Sequence, residues 1–158
     1  MAECIFCKII EGKLPSYKIH EDDEFLAILD RFPNTKGMTV VLTKKHYGSY
    51  VFDMPEDVYS RFLKFTRQTI KILDKGLKVR RTAMVMEGMG IDHAHIKLYP
   101  MHGLREMFIK KEDCPILFPE KYKKEPAYFE KYPGYIATLF GSKASDEDLN
   151  KVQKEIIK

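Results

Sequence analysis

The segment Asp92-His93-Ala94-His95-Ile96-Lys97-Leu98-Tyr99-Pro100 places two imidazoles and an ammonium at strict two-residue spacing. On a β-strand that spacing puts His93, His95 and Lys97 on one face and Ala94, Ile96 and Leu98 on the other. A single strand can then anchor in an apolar core while presenting reactive groups to a cleft. A neutral imidazole keeps a free lone pair at neutral pH, which suits it to attack phosphorus. His95, central in the set, is the nucleophile candidate, given an acceptor such as a backbone carbonyl to hold one ring nitrogen and leave the other unprotonated. Lys97 would hold a phosphate oxygen as a point charge. The plainer alternative is a His-x-His pair that fills a polar cleft or binds a metal, with Lys97 a solvated charge on a sheet face.

Cys4-x-x-Cys7 supplies two soft ligands at zinc-knuckle spacing, but a tetrahedral structural site needs two more and the chain has no second Cys-x-x-Cys. His46, after a strand ending near Thr43, and His93 would complete a Cys4, Cys7, His46, His93 site. A reduced, unligated thiol pair stands as the alternative, because no spacing forces the two histidines to converge. Cys114, alone beside Pro115, reads as inert. His20 precedes an acidic turn and reads as a surface residue. His102, just past the signature strand, could reach the cleft as a proton donor. Gly88 and Gly90 would let backbone N–H groups approach a phosphate, although a tight hairpin needs such glycines anyway.

The elements that must position these groups are legible in outline. Tyr17 to His20, Phe25 to Leu29 and Met38 to Thr43 read as strands of an antiparallel meander, with Glu21-Asp22-Asp23 and Asn34-Thr35-Lys36-Gly37 as turns. Residues 8 to 12 suit a short helical turn ending at Gly12. Asp53 with Glu56 resembles a capping box, Pro55 suits the first turn, and Val58, Phe62, Phe65 and Ile72 follow helical spacing in a long helix with Gly76 as its stop. Thr82 to Met86 and Ala94 to Leu98 read as a hairpin across Glu87-Gly88-Met89-Gly90. Beyond Gly103 the chain is basic and rich in tyrosine and proline to about residue 135, which suggests a wrapping segment. Ser145 then caps a terminal helix carrying Leu149, Val152 and Ile156.

With 158 residues and 44% apolar content, the chain can bury one sizeable core. Its 32% charged residues are mixed in sign, and a diffuse net charge of +4 fits a small anionic partner without requiring nucleic acid. No run of about 18 apolar residues occurs, and the N-terminus lacks a signal pattern, so a cytoplasmic protein without a membrane partner is expected.

Several motifs in order carry a resemblance: Cys4-Ile5-Phe6-Cys7-Lys8-Ile9-Ile10, Phe25-Leu26-Ala27-Ile28-Leu29-Asp30, Lys36-Gly37-Met38-Thr39-Val40-Val41 leading to Lys44-Lys45-His46, and His93-Ala94-His95. Over roughly residues 4 to 103 the chain resembles the histidine-triad (HIT) nucleotide-binding proteins, in particular their zinc-containing bacterial branch. The resemblance implies an α+β fold, an antiparallel sheet packed by one long helix, in a homodimer. Residues 1–103 would form this core, with 104–158 a C-terminal extension packed on the same domain. It implies hydrolysis or transfer at the α-phosphate of a nucleotide, through a nucleotidyl-histidine intermediate on His95. The base, a purine, would lie against Phe6, Ile9 and Leu29, and the ribose hydroxyls on Asp30. Zinc would bind at Cys4, Cys7, His46 and His93.

Two departures from the family pattern stand out. Lys97 occupies the place of the third histidine, and the loop before the triad is cut to Met86-Glu87-Gly88-Met89-Gly90-Ile91-Asp92. A lysine is a poor proton donor at pH 7, so Lys97 is expected to stabilise charge and to favour a good leaving group such as a phosphate. Two rival functions follow. One is a nucleotide-binding or sensing module with little catalysis, and the other is a metal-dependent hydrolase using His93, His95 and His102 as ligands.

Overall fold

The computed structural model describes residues 4–33, 35–103 and 145–147. The chain divides into two compact units, Met1–Leu104 and Arg105–Lys158. Of the second, Ser145–Glu147 are described, with Asp146 and Glu147 helical. Cys114, the packing of the extension and the rest of the expected terminal helix lie outside the described residues.

The first unit is an α+β fold. Helix α1 (Ile5–Ile10) precedes strands β1 (Lys18–Glu21), β2 (Phe25–Leu29) and β3 (Thr39–Thr43), helix α2 (Glu56–Leu77), and strands β4 (Thr82–Val85) and β5 (His95–Pro100). The strands form one sheet in the order β1-β2-β3-β5-β4, and every neighbouring pair is antiparallel. Among the described residues no helix is long and apolar enough to cross a membrane.

Alternation along the strands sorts their side chains onto two covered faces. Phe25, Ala27, Val41, Ile96 and Leu98 join Phe62, Phe65 and Leu73 of α2 in the larger core. Leu26, Ile28, Val40 and Leu42 point the other way and pack with Phe6 of α1. His20 belongs to the α2 side, where it stacks on Phe65 at 4.3 Å and shares a hydrogen bond with Thr69 Oγ1 at 3.1 Å, so it is a packing residue and not a free surface one.

Within residues 4–103 the expected elements are present, with corrections at their ends. The N-terminal helix spans Ile5–Ile10, three residues earlier in its start than the turn expected over residues 8 to 12, and it ends two residues before Gly12, whose φ is +75°. No Asp53 capping box forms: Asp53 is held in a short 3-10 turn, Val51–Asp53, and Pro55 is the N-cap of α2, its carbonyl accepting the Tyr59 N–H at 2.9 Å. The helix runs past Gly76 because the left-handed residue that ends it is Lys78, at φ 53°. One residue earlier, Leu77 still packs on the core. Ile72 is 43% exposed, and Thr69 and Leu73 hold the buried stripe in its place. The tight hairpin is a longer excursion, residues 86–94, between strands that do pair as neighbours.

Candidate functional site

The register of β5 sets the site. His95 lies opposite Leu42 and Lys97 opposite Val40 on β3, so both occupy the face covered by α1. Next to that α1-packed surface opens a cleft of about 430 Å³. Phe6, Ile9, Leu29, Asp30, Gly90, His95 and Lys97 line it, which brings together all but one of the residues expected to bind substrate or react. Gly88 is the one left out. It adopts φ +66° and presses on the Ser49 carbonyl, to which an added Cβ would come within 3.1 Å.

His95 is 3% exposed. Its Nδ1–H donates to the His93 carbonyl at 2.7 Å, which leaves Nε2 as the lone-pair nitrogen. Burial lowers its pKa, the His93 carbonyl partly opposes this, and the Lys97 charge lowers it further. The ring meets Phe6 edge-on at 5.5 Å. Asp30, which lines the cleft, accepts the Phe32 N–H on Oδ1 at 2.7 Å, which fixes the turn after β2.

Lys97 is paired with Glu87, whose carboxylate accepts its ammonium hydrogen bond. Burial opposes the Lys97 charge, but the Glu87 hydrogen bond and attraction outweigh it and raise its pKa. Sequence reasoning missed Glu87, treating it as a turn residue. The available signal was an opposite charge ten positions before Lys97 across a hairpin. It also missed much of the cleft rim, including Tyr17 and Phe32, the latter 88% exposed.

A second cluster sits beside the cleft. Cys4, Cys7, His46 and His93 offer ligand atoms all within 4.8 Å of one another. Cys4 Sγ and Cys7 Sγ lie 3.4 and 3.6 Å from His93 Nδ1, and Cys7 Sγ lies 3.4 Å from His46 Nδ1. Zinc at ordinary bond lengths holds tetrahedral ligands about 3.5 Å apart, so the donor set fits a zinc ion in kind and in spacing. His93 Nε2–H donates to the Thr43 carbonyl at 2.7 Å, which turns the Nδ1 lone pair toward the thiols. Burial and the adjacent Cys4 thiol push the Cys7 pKa up, a cost that a divalent cation would relieve.

His102 does not join either group. It is exposed and donates to the Lys36 carbonyl at 2.8 Å, so His93, His95 and His102 are not brought together as metal ligands.

Comparison with known proteins places this geometry in context. The HIT domain profile matches residues 11–102. A HIT-like protein of Methanocaldococcus jannaschii is 36% identical over 103 residues, 63% of this chain and 79% of that one. The adenosine 5'-monophosphoramidase of Candida albicans is 30% identical over 108 residues, 63% of this chain and 70% of its own length. The crystal structure of a zinc-bound histidine triad family protein from Mycobacterium smegmatis shares the fold, with a TM-score of 0.60 and 24% identity over 68% of this chain and 81% of that one. The matched span encloses α2 and all five strands, among them β5 with His95, and the chain therefore belongs to the HIT domain family.

Proposed function

We propose that the protein is a nucleotidyl hydrolase or transferase that acts at the α-phosphate of a purine nucleotide. The observation that carries this reading is the buried His95, whose Nδ1–H is tied to the His93 carbonyl while its Nε2 keeps a lone pair in a residue lining the cleft. Similarity to an adenosine 5'-monophosphoramidase supports an adenosine phosphoryl compound as substrate.

In this reading the base lies against Phe6, Ile9 and Leu29, and Asp30 accepts the ribose hydroxyls. His95 Nε2 attacks the α-phosphorus and forms a P–N bond, while the bond from phosphorus to the leaving group breaks and the leaving group departs with the electron pair, a phosphate as its anion and an amine after taking up a proton from solvent. Water or another acceptor then attacks phosphorus and gives up a proton to solvent, the P–N bond breaks, its pair returns to Nε2, and, with water, a nucleoside monophosphate is released. Lys97 and the Gly90 backbone lie along the cleft wall to meet the phosphoryl oxygens. Zinc held by Cys4, Cys7, His46 and His93 supplies a structural cross-link between the start of α1 and the sheet. The working unit in this reading is a homodimer.

Incubation with adenosine 5'-monophosphoramidate followed by quenching in base is expected to trap AMP on His95, and His95→Ala to abolish both adduct and turnover. Unchanged turnover in His95→Ala with no adduct overturns the reading. The rival, a nucleotide-binding module with little turnover, draws on the Glu87-paired Lys97, a poor proton donor. It predicts tight AMP binding without an adduct.

A further inference from the structure

Lys97 read alone is a free cation beside the nucleophile and favours a phosphate leaving group. The structure gives it a partner. Glu87 reaches Lys97 from the loop before β5, and both side chains are three-quarters or more buried. The loop is pinned at two points between Glu87 and Lys97. Gly88 abuts the Ser49 carbonyl, and Asp92 Oδ1 accepts the Ser49 N–H at 3.0 Å. Glu87 is therefore held over Lys97 by the fold and does not reach it as a chance surface charge.

The consequence is a charge balance. Asp30, Arg31 and Lys97 line the cleft, and Glu87, which is not in the lining, is bonded to Lys97, so with it these four formal charges sum to zero. A polyphosphate chain brings several negative charges and gains little from such a wall, while a single phosphoryl group needs only local hydrogen bonds.

We propose that Glu87 is a positioning and specificity-determining residue: by clamping Lys97 and cancelling its charge, it tunes the cleft to nucleoside 5'-monophosphoryl compounds of low net charge, phosphoramidates among them, over nucleoside polyphosphates. This rests on the reading of the cleft as a nucleotide site with His95 as its nucleophile. Glu87 need not touch substrate. It acts through Lys97, so removing its charge alters selectivity before it alters chemistry.

The test is equilibrium binding of AMP and of ATP to the full chain by calorimetry in magnesium-free buffer. The wild type is expected to bind ATP no more tightly than AMP. Glu87→Gln, which keeps an acceptor for Lys97 but removes the charge, is expected to improve ATP relative to AMP by about tenfold. Glu87→Asp should restore the wild-type ratio, and adding Lys97→Met to Glu87→Gln should erase the gain. Lys97→Met alone leaves Glu87 unbalanced and should shift the ratio against ATP, which keeps the idea testable should Glu87→Gln not fold. An ATP-to-AMP ratio unmoved by Glu87→Gln, or a gain that persists without Lys97, overturns the proposal. Because binding needs no chemistry, these ratios can hold while the His95 adduct is absent, or fail while it forms, so the two readings fall separately.

Discussion

One residue, His93, faces two ways: its backbone carbonyl accepts the His95 Nδ1–H at 2.7 Å, while its own Nδ1 lies 3.4 Å from Cys4 Sγ. The orientation of the nucleophile candidate is thus fixed by the same residue that closes the cysteine–histidine cluster. Cys4 and Cys7 also bracket Phe6, which touches the His95 ring.

Metal removal should therefore be felt in both stability and the cleft. Chelation, or Cys4→Ser, is expected to lower unfolding free energy by about 4 kcal/mol, the scale for a ligand held at a thousandfold its dissociation constant. Thermal melts paired with zinc analysis check this. A chain that carries no zinc as isolated and melts identically with chelator would count against the cluster as a metal site.

The Glu87–Lys97 pair makes a prediction about pH. The folded pKa of Lys97 is raised, so its contribution to stability is complete below the unfolded value near 10.4 and disappears as pH rises through the higher folded value. Turnover in the wild type should show no loss from Lys97 until pH exceeds that range. Glu87, Tyr99, Asp30 and His95 are the titratable groups around it. In Glu87→Gln the largest favourable partner is gone and burial works against the ammonium, so an alkaline limb should appear at lower pH. A pH–rate profile identical in both proteins would refute this.

Gly88 and Gly90 differ in a way that substitution can expose. Both have positive φ, but an added Cβ at Gly88 meets the Ser49 carbonyl at 3.1 Å, while at Gly90 it meets nothing within 4 Å. Gly90→Ala should cost about 1 kcal/mol for the left-handed backbone alone. Gly88→Ala should cost more, about 2–3 kcal/mol, since backbone must move as well. Urea denaturation of the two variants provides the comparison, and equal midpoints would remove the loop anchor from the account.

Asp30 is bonded on one oxygen to the Phe32 N–H. Asp30→Asn keeps an acceptor for that turn and changes the charge offered to ribose hydroxyls, so KM for an adenosine substrate should rise about tenfold with kcat little changed. Asp30→Ala should add a loss of stability of about 1 kcal/mol from the turn. A pure kcat effect in Asp30→Asn would place this carboxylate elsewhere in the reaction.

The sequence made the strands and their facing legible because period-two alternation is local. His95 and Lys97 fall on one face wherever β5 pairs, and Ile96 and Leu98 are forced to the other, whereas His93, expected on the same strand face, lies in the bend before β5 and outside the cleft lining. The four-residue cysteine–histidine cluster was legible through ligand chemistry, since Cys4 and Cys7 lacked enough partners of their own kind. What escaped was set at longer range or by loops. Glu87 meets Lys97 only once the course of residues 86–94 is known, and that course depends on Ser49, far away in the chain. His20 reads as a surface residue in the sequence because its acidic neighbours are visible there and its packing on Phe65 is not. The failed capping box has the same origin: Asp53 matched a local pattern, but the short turn before Pro55 used it otherwise.

Strand β3 is buried at every position and is paired on both sides, to β2 and to β5. Backbone amides there and in the facing half of β5 should exchange with solvent only on global unfolding, whereas those of residues 86–92 and of α1 should exchange through smaller openings. On the proposed reading the His95 imidazole would thereby be mounted on the slowest-exchanging part of the domain, and admission of substrate would fall to its least protected parts.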